Sequence, residues 1–147
     1  SVYGTALGNM EYIWGSNLTV LSRGMILICA WKLSGNSRYL NGAVKQLDYL
    51  LGMNTLDLSF VTGFGTNPFM NPHHRPSGAD GITEPVPGLV SGGPNNRFTY
   101  GITKEKLPPD TPPARSYLDE LPSADTNEIA IYWNSPAVFV AAFLDTL

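Results

Sequence analysis

The sequence predicts an all-α fold whose helices flank a long irregular loop region. Two stretches within residues 16–52 repeat apolar side chains at three- and four-residue steps, which is the spacing of one helical face. A third apolar stretch, about 136–146, lies near the end of the chain. Residues 54–126 hold eleven of the twelve prolines, so neither helices nor central strands are expected to run far there. The 147 residues have the size of one domain.

A helical hairpin is predicted over residues 16–52, after a loop formed by residues 1–15. Ser16 and Asn17 are typical N-cap residues for its first helix, and residues 34–37 end that helix and cap the second. The apolar faces consist of Leu18, Leu21, Met25, Ile28 and Trp31 in the first helix and Leu40, Ala43, Leu47 and Leu50 in the second. Two helices joined by so short a loop pack antiparallel.

The loop region, residues 54–126, is expected to be ordered and to carry the functional site. Its aromatic side chains include Phe60, Phe64, Phe69, Phe98, Tyr100 and Tyr117. A flexible linker would not carry so many aromatic residues, and loops this long inside a compact domain are usually functional. The glycine-rich stretch at residues 88–96 lacks the lysine and the preceding strand of a phosphate-binding loop, so we do not interpret it as one.

Within the loop region, Pro72 and Pro76 stiffen a segment that carries His73, His74 and Arg75. Metal binding is one interpretation of the two imidazoles. It is disfavoured because adjacent side chains tend to point apart and no cysteine or HxxxH partner supplies further ligands. Hydrogen bonding to a polyhydroxyl ligand suits the imidazoles and the guanidinium better. A surface turn with incidental histidines is the alternative without function.

Glu128 is the strongest candidate for acid–base chemistry. A carboxyl group placed against Ile129, Ile131 and Trp133 would be desolvated, which favours its protonated form, the form that can protonate a leaving oxygen. The alternative is that Glu128 only interacts with backbone amides at a helix start. Because Pro136 suits a first helical position, we predict a final helix that starts after a cap at residues 134–135, with Glu128 on a short turn before it.

Composition excludes some functions and leaves others open. The net charge is -3 and the nine basic residues are scattered, so nucleic acid is not an expected partner. No apolar run reaches bilayer length, so no membrane partner is expected either. The single cysteine, Cys29, is expected to pack as a small core residue. The chain starts with Ser1 and not with methionine, which suggests a processed or truncated product.

Two stretches resemble the signature regions of glycoside hydrolase family 9. One is residues 65–75, Gly-Thr-Asn-Pro-Phe-Met-Asn-Pro-His-His-Arg, and the other runs from Tyr117 through Asp119 and Glu128 to Ser135. Residues 14–17, 48–54, 59–63 and 112–117 are similar to the family as well, so the resemblance covers nearly the whole chain. It implies a usually secreted, inverting β-1,4-glucanase of endo or exo type. It also implies an (α/α)6 toroid, of which residues 1–147 would be the C-terminal third.

The resemblance assigns roles to individual residues. Glu128 matches the general acid, Asp119 matches the acidic residue of the second signature, and His73 matches the histidine beside the cleavage point. These three form the expected catalytic set. The residues expected to contact the sugar are His73, Arg75, Trp133, Tyr117 and Trp14.

The resemblance also implies that something is missing. Inverting hydrolysis needs a second carboxylate, roughly 6.5–9.5 Å from the acid, to activate water. In the family this base comes from an upstream Asp-Ala-Gly-Asp motif, which the 147 residues do not contain. The chain alone is therefore expected to be inactive, and the remaining N-terminal part of the catalytic domain is expected to supply the base and to cover the helices.

Further expectations concern cofactors and related functions. The resemblance implies no cofactor for the chemistry and allows a structural calcium ion in the full domain. The expected ligand is a β-glucan oligosaccharide or polysaccharide. Two alternatives stay open: a glucosaminidase-type member of the same family, and a non-catalytic relative that only binds carbohydrate.

Overall fold

A computed structural model describes residues 3–98 and 101–147. These residues form helices and isolated β-bridges, and no longer strand is found in this part of the chain. The helices are α1 (Ser16–Ser34), α2 (Ser37–Leu50), α3 (Arg75–Ala79), α4 (Gly101–Lys106), α5 (Ala124–Asn127) and α6 (Ile131–Leu144), with 3-10 turns at Asn9–Glu11 and Pro113–Arg115. Tyr100, one of the aromatic residues of the loop region, lies outside the described residues. No helix in the described ranges is long and apolar enough to cross a bilayer.

Helices α1 and α2 form the hairpin on which the loops rest. Gly35 ends α1 in the left-handed conformation (φ 67°), and its N–H donates to the Trp31 carbonyl at 2.8 Å. Asn36 then caps α2 through its side chain, which accepts from the Arg38 N–H at 3.0 Å. The turn chemistry expected at residues 34–37 is therefore present in the structure.

The predicted cap of α1 is wrong. The residue before the helix is Gly15, and neither Ser16 nor Asn17 caps the first turn. Both side chains are buried and bond to the glycine-rich loop instead: Ser16 Oγ donates to the Pro94 carbonyl at 2.7 Å, and Asn17 Nδ2 donates to the Ser91 carbonyl at 3.0 Å. A tertiary contact has replaced the local one.

Helix α6 begins at Ile131, five residues earlier than predicted, so Pro136 lies within its second turn. A proline there removes one backbone hydrogen bond. Side-chain bonds hold the first turn in place: Trp133 Nε1 donates to the Val90 carbonyl at 2.9 Å, and Asn134 Oδ1 accepts from the Val90 N–H at 2.9 Å. These long-range bonds offset the lost backbone bond.

The main core lies where the hairpin, α6 and the loops meet. Its largest fully buried side chains are Trp133, Phe60, Leu21 and Leu50, while Ile28 belongs to a second, smaller cluster with Ala43 and Val140. The expectation that Cys29 packs in the core is wrong, because its neighbour Ile28 occupies the buried face of α1 and leaves Cys29 exposed. Large apolar side chains also stay exposed on α1 and α6, among them Ile26, Leu33, Ile131 and Val138.

Candidate active site

The centre of the site is the short extended segment 128–129, which follows α5 and lies between two loops. On one side the His73 N–H donates to the Asn127 carbonyl at 3.0 Å, and His73 pairs with Glu128 in a parallel bridge. On the other side the Gly92 N–H donates to the Glu128 carbonyl at 3.0 Å. Paired residues on neighbouring extended segments, about 5 Å apart, project to the same face. The side chains of His73 and Glu128 therefore leave the backbone side by side.

The Glu128 carboxyl group is partly exposed and is held by a residue from the start of the chain. Trp14 Nε1 donates to Glu128 Oε2 at 2.9 Å, although the two residues are separated by 114 positions. Of the three apolar neighbours expected around Glu128, Ile129 is half-buried, but Ile131 is 87% exposed and Trp133 lies in the core, so the described chain does not surround the carboxyl group with all three. Sequence reasoning selected Trp14 for its ring and missed this hydrogen bond, which no local pattern signals.

The tautomer of His73 follows from its partner. His73 Nδ1 lies 2.7 Å from the Leu121 carbonyl oxygen. A carbonyl oxygen only accepts, so Nδ1 carries the hydrogen, and in the neutral ring Nε2 is left as an acceptor. The exposed imidazole is thus oriented by the segment that leads to Glu128, with one nitrogen free for a ligand hydroxyl.

A cavity of about 510 Å³ opens beside this histidine. It is lined by His73, His74, Arg75, Gly78, Ala79, Leu121 and Pro122. Arg75 is exposed at the first position of α3, and its guanidinium makes no side-chain bond to the described residues. The cavity therefore combines apolar walls with unused hydrogen-bonding groups, as expected of a site for polyhydroxyl ligands.

Metal binding by the two histidines gains no support. The imidazole of His74 is engaged at Nδ1 by the Ser77 hydroxyl at 2.9 Å, where it caps α3. Over residues 3–98 and 101–147, no group of three or more His, Cys, Asp or Glu side chains could hold a metal ion. The donor set that a metal would need is therefore not assembled by these residues.

Asp119 joins the two loops that carry the candidate catalytic residues. Its carboxylate accepts from the backbone N–H groups of Met70 and Asn71, both at 2.8 Å, and from Asn127 Nδ2 at 3.1 Å. Asn127 Nδ2 also donates to the Asn71 carbonyl at 2.7 Å. Both oxygens of Asp119 are thus occupied by the chain itself, and the carboxylate fixes the approach to His73 relative to the residue before Glu128.

Two residues expected to contact the sugar are buried behind the site. Trp133 is 1% exposed, and its ring packs in the core. Tyr117 is 7% exposed, its hydroxyl donates to Asn127 Oδ1, and its ring packs edge-on against Phe60. Burial raises the pKa of the Tyr117 hydroxyl well above its ordinary value. Both rings support the segment that carries Glu128 and present no open face to a ligand.

The glycine-rich stretch is a scaffold for the site, a role that sequence reasoning missed. Gly93 adopts a left-handed conformation (φ 92°), and a Cβ atom there would lie 2.5 Å from the Asn17 side chain. Its N–H donates to the Thr126 carbonyl at 2.9 Å, next to the bond from Gly92 to Glu128. Only glycine allows so close an approach. The sequence feature that could have indicated this scaffold role is the run of glycines without a phosphate-binding lysine.

Solved structures similar to this chain are helical enzymes. AaCel9A in complex with cellobiose-like isofagomine matches with a TM-score of 0.93 and 41% identity, over 100% of this chain and 28% of that chain. A metagenome-derived glycoside hydrolase family 9 endoglucanase matches with a TM-score of 0.89 and 44% identity, over 100% of this chain and 26% of that chain. The fold is therefore that of a portion of a helical glycoside hydrolase domain.

The family follows from the sequence comparison. The sequence profile of glycosyl hydrolase family 9 matches residues 2–141, and the chain belongs to this family. The predicted fold class is confirmed, since the structures that the chain matches are (α/α)6 barrels, of which it corresponds to a portion.

Two curated relatives are named as a cellobiosidase and a cellodextrinase. A cellulose 1,4-beta-cellobiosidase of Acetivibrio thermocellus is 42% identical over 139 residues, which is 92% of this chain and 16% of that protein. A cellodextrinase of Butyrivibrio fibrisolvens is 42% identical over 137 residues, which is 93% of this chain and 25% of that protein. The chain therefore spans a quarter or less of the length of these two relatives.

Proposed function

We propose that this chain is the acid-carrying part of a catalytic domain that hydrolyses β-1,4-glucosidic bonds in cellulose or related β-glucans. The observation that carries the proposal is the pairing of His73 with Glu128 beside the cavity that Arg75 lines. Membership of glycosyl hydrolase family 9 and the names of its relatives support the substrate class.

In this mechanism Glu128 is the general acid. Its protonated carboxyl donates to the glycosidic oxygen while the bond between that oxygen and the anomeric carbon breaks. Water attacks the anomeric carbon from the opposite face of the ring, which inverts the configuration. The Trp14 ring, which is 42% exposed, offers a face to the sugar, and the Arg75 fork and His73 Nε2 bond to its hydroxyl groups.

The base that activates this water is proposed to lie on polypeptide outside the 147 residues. The loop that leads to Glu128 carries three other carboxylates: Asp119, Glu120 and the buried Asp125. The Asp119 carboxylate already accepts three N–H donors that tie it between the two loops, which supports a structural role for it and not the role of the base. The exposed apolar side chains of α1 and α6 are consistent with further polypeptide packing on these helices.

Export from the cell is a further proposal, which fractionation of the producing organism would test.

The test is Glu128→Gln in the complete catalytic domain, assayed on cellotetraose and on dinitrophenyl β-cellobioside. Loss of a general acid lowers the rate on cellotetraose by about 10²–10⁴-fold, because the natural leaving oxygen needs a proton. The dinitrophenyl leaving group departs without one and should lose much less. Glu120→Gln, the same chemical change at a half-buried residue that pairs with Lys106, serves as the control. Full activity of Glu128→Gln on cellotetraose would refute the proposal.

The stereochemistry and the division of labour are tested separately. Proton NMR of the first product should detect the α-anomer if the reaction inverts, whereas initial β-anomer would contradict inversion. Residues 1–147 alone should leave cellotetraose intact, and activity should return only when the polypeptide carrying the base is supplied.

A further inference from the structure

We propose that Trp14 is a positioning residue for the general acid and acts through its indole N–H, in addition to any contact of its ring with sugar. The inference rests on the proposed role of Glu128. The hydrogen bond from Trp14 Nε1 to Glu128 Oε2, at 2.9 Å, is the side-chain bond that Glu128 makes within the described chain.

This bond selects the oxygen that carries the proton. An indole N–H only donates, so Oε2 must accept. The carbonyl oxygen of a protonated carboxyl group is a better acceptor than its hydroxyl oxygen, so the bond favours the hydrogen on Oε1, the oxygen that Trp14 does not hold. Trp14 thereby fixes the rotation of the carboxyl group and presents the proton-bearing oxygen in one orientation. Without this hydrogen bond, rotation about the Cγ–Cδ bond of Glu128 would exchange the positions of the two carboxyl oxygens.

The fold holds the indole of Trp14 next to the Glu128 carboxyl group. Gly92 connects the two segments: its carbonyl accepts from the Asn17 N–H at 2.9 Å, and its N–H donates to the Glu128 carbonyl at 3.0 Å. Gly15, between Trp14 and α1, adopts a left-handed conformation, and a Cβ atom there would lie 3.2 Å from the Trp133 ring. The backbone on both sides of the Trp14–Glu128 bond is thus tied to one buried scaffold, so the bond is built into the fold.

Two roles of Trp14 make different kinetic predictions. An aromatic face that stacks on sugar contributes to binding, so its loss raises KM for every substrate that reaches that face. An N–H group that orients the acid contributes when the proton is transferred, so its loss lowers kcat only for substrates whose leaving group needs the proton.

The test is Trp14→Phe in the complete catalytic domain, since phenylalanine keeps an aromatic face and removes the N–H donor. On cellotetraose, kcat should fall about tenfold, the upper end of the typical effect of one hydrogen bond to a neutral group, while KM changes by less than about twofold. On dinitrophenyl β-cellobioside, kcat should stay within about twofold. Trp14→Ala, which also removes the face, should raise KM for both substrates.

A double variant isolates the coupling. In the Glu128→Gln background, Trp14→Phe should cause no further loss of kcat on cellotetraose, because the proton that Trp14 orients is already absent. Equal losses on both substrates, a rise in KM without a change in kcat, or a full additional loss in the double variant would each overturn the inference. A Trp14→Phe enzyme with the same kcat and KM as the parent enzyme would overturn it too. In each of these cases the proposed function would still stand if Glu128→Gln is inactive on cellotetraose.

Discussion

Replacing Asp119 with asparagine tests whether this carboxylate aligns the two loops of the site. The carboxylate accepts three N–H donors, from Met70, Asn71 and the Asn127 side chain, at 2.8, 2.8 and 3.1 Å. Asparagine replaces one accepting oxygen with an NH₂ group, which cannot accept. At least one donor therefore loses its partner and faces another N–H group.

The size of the effect follows from these bonds. A hydrogen bond to a charged group contributes about 1.5–3 kcal/mol, and leaving a donor unpaired adds a desolvation cost where it is buried. Because Asp119 is only half-buried, we expect the low end, about 1–2 kcal/mol of unfolding free energy. We also expect kcat on cellotetraose to fall by about ten- to hundredfold, since a shift of about 1 Å in a catalytic group costs up to about 10².

Glu120→Gln is the matched control, because it makes the same chemical change at the next residue. Glu120 pairs with Lys106 at 2.6 Å, with side chains that are 33% and 50% exposed, and such surface pairs contribute about 0–1 kcal/mol. Urea unfolding and steady-state kinetics of both variants in the complete domain provide the comparison. If Asp119→Asn behaves like Glu120→Gln in both assays, the alignment role is wrong. Loss of nearly all activity with an unchanged unfolding free energy would instead indicate that Asp119 takes part in the chemistry.

Two further predictions concern stability. Trp133→Ala should lower the unfolding free energy by about 3–5 kcal/mol in urea titrations, because it empties a fully buried site, and a loss below about 1 kcal/mol would contradict the core assignment. The Arg23 guanidinium, with the Gly8 N–H, lowers the pKa of Glu11 from 4.5 to about 2. Ionised Glu11 therefore stabilises the folded protein fully above pH 4.5, and this stabilisation disappears as the pH falls through about 2. The unfolding midpoint of Glu11→Gln should therefore lie below that of the unaltered protein at neutral pH and approach it near pH 2; a gap that stays constant with pH would exclude this ion pair as its cause.

The hairpin and its turn could be predicted because both depend on local interactions. The helical period of apolar residues, the left-handed Gly35 and the Asn36 cap all act within a few residues of one another. The family signatures likewise selected Glu128, His73 and Trp14, which the structure brings together around segment 128–129.

Burial of the aromatic rings near the site could not be read from local sequence. Trp133 and Tyr117 carry rings suited both to sugar contact and to a core, and the core receives them because Val90 and Asn127 supply hydrogen-bond partners there. The position of Pro136 within α6 has a similar cause, since long-range bonds to Val90 stabilise the first turn before it.

Residue identity thus fixed the helical scaffold, the family and the set of groups available for chemistry. Contacts between distant segments fixed which of those groups face the ligand. Trp14 and Glu128 meet because Gly92 bonds to both of their segments, and Asp119 holds the loops because donors from residues about fifty positions away converge on it. The free energy of such contacts depends on the packing of segments far apart in the chain, and no short stretch of sequence encodes it.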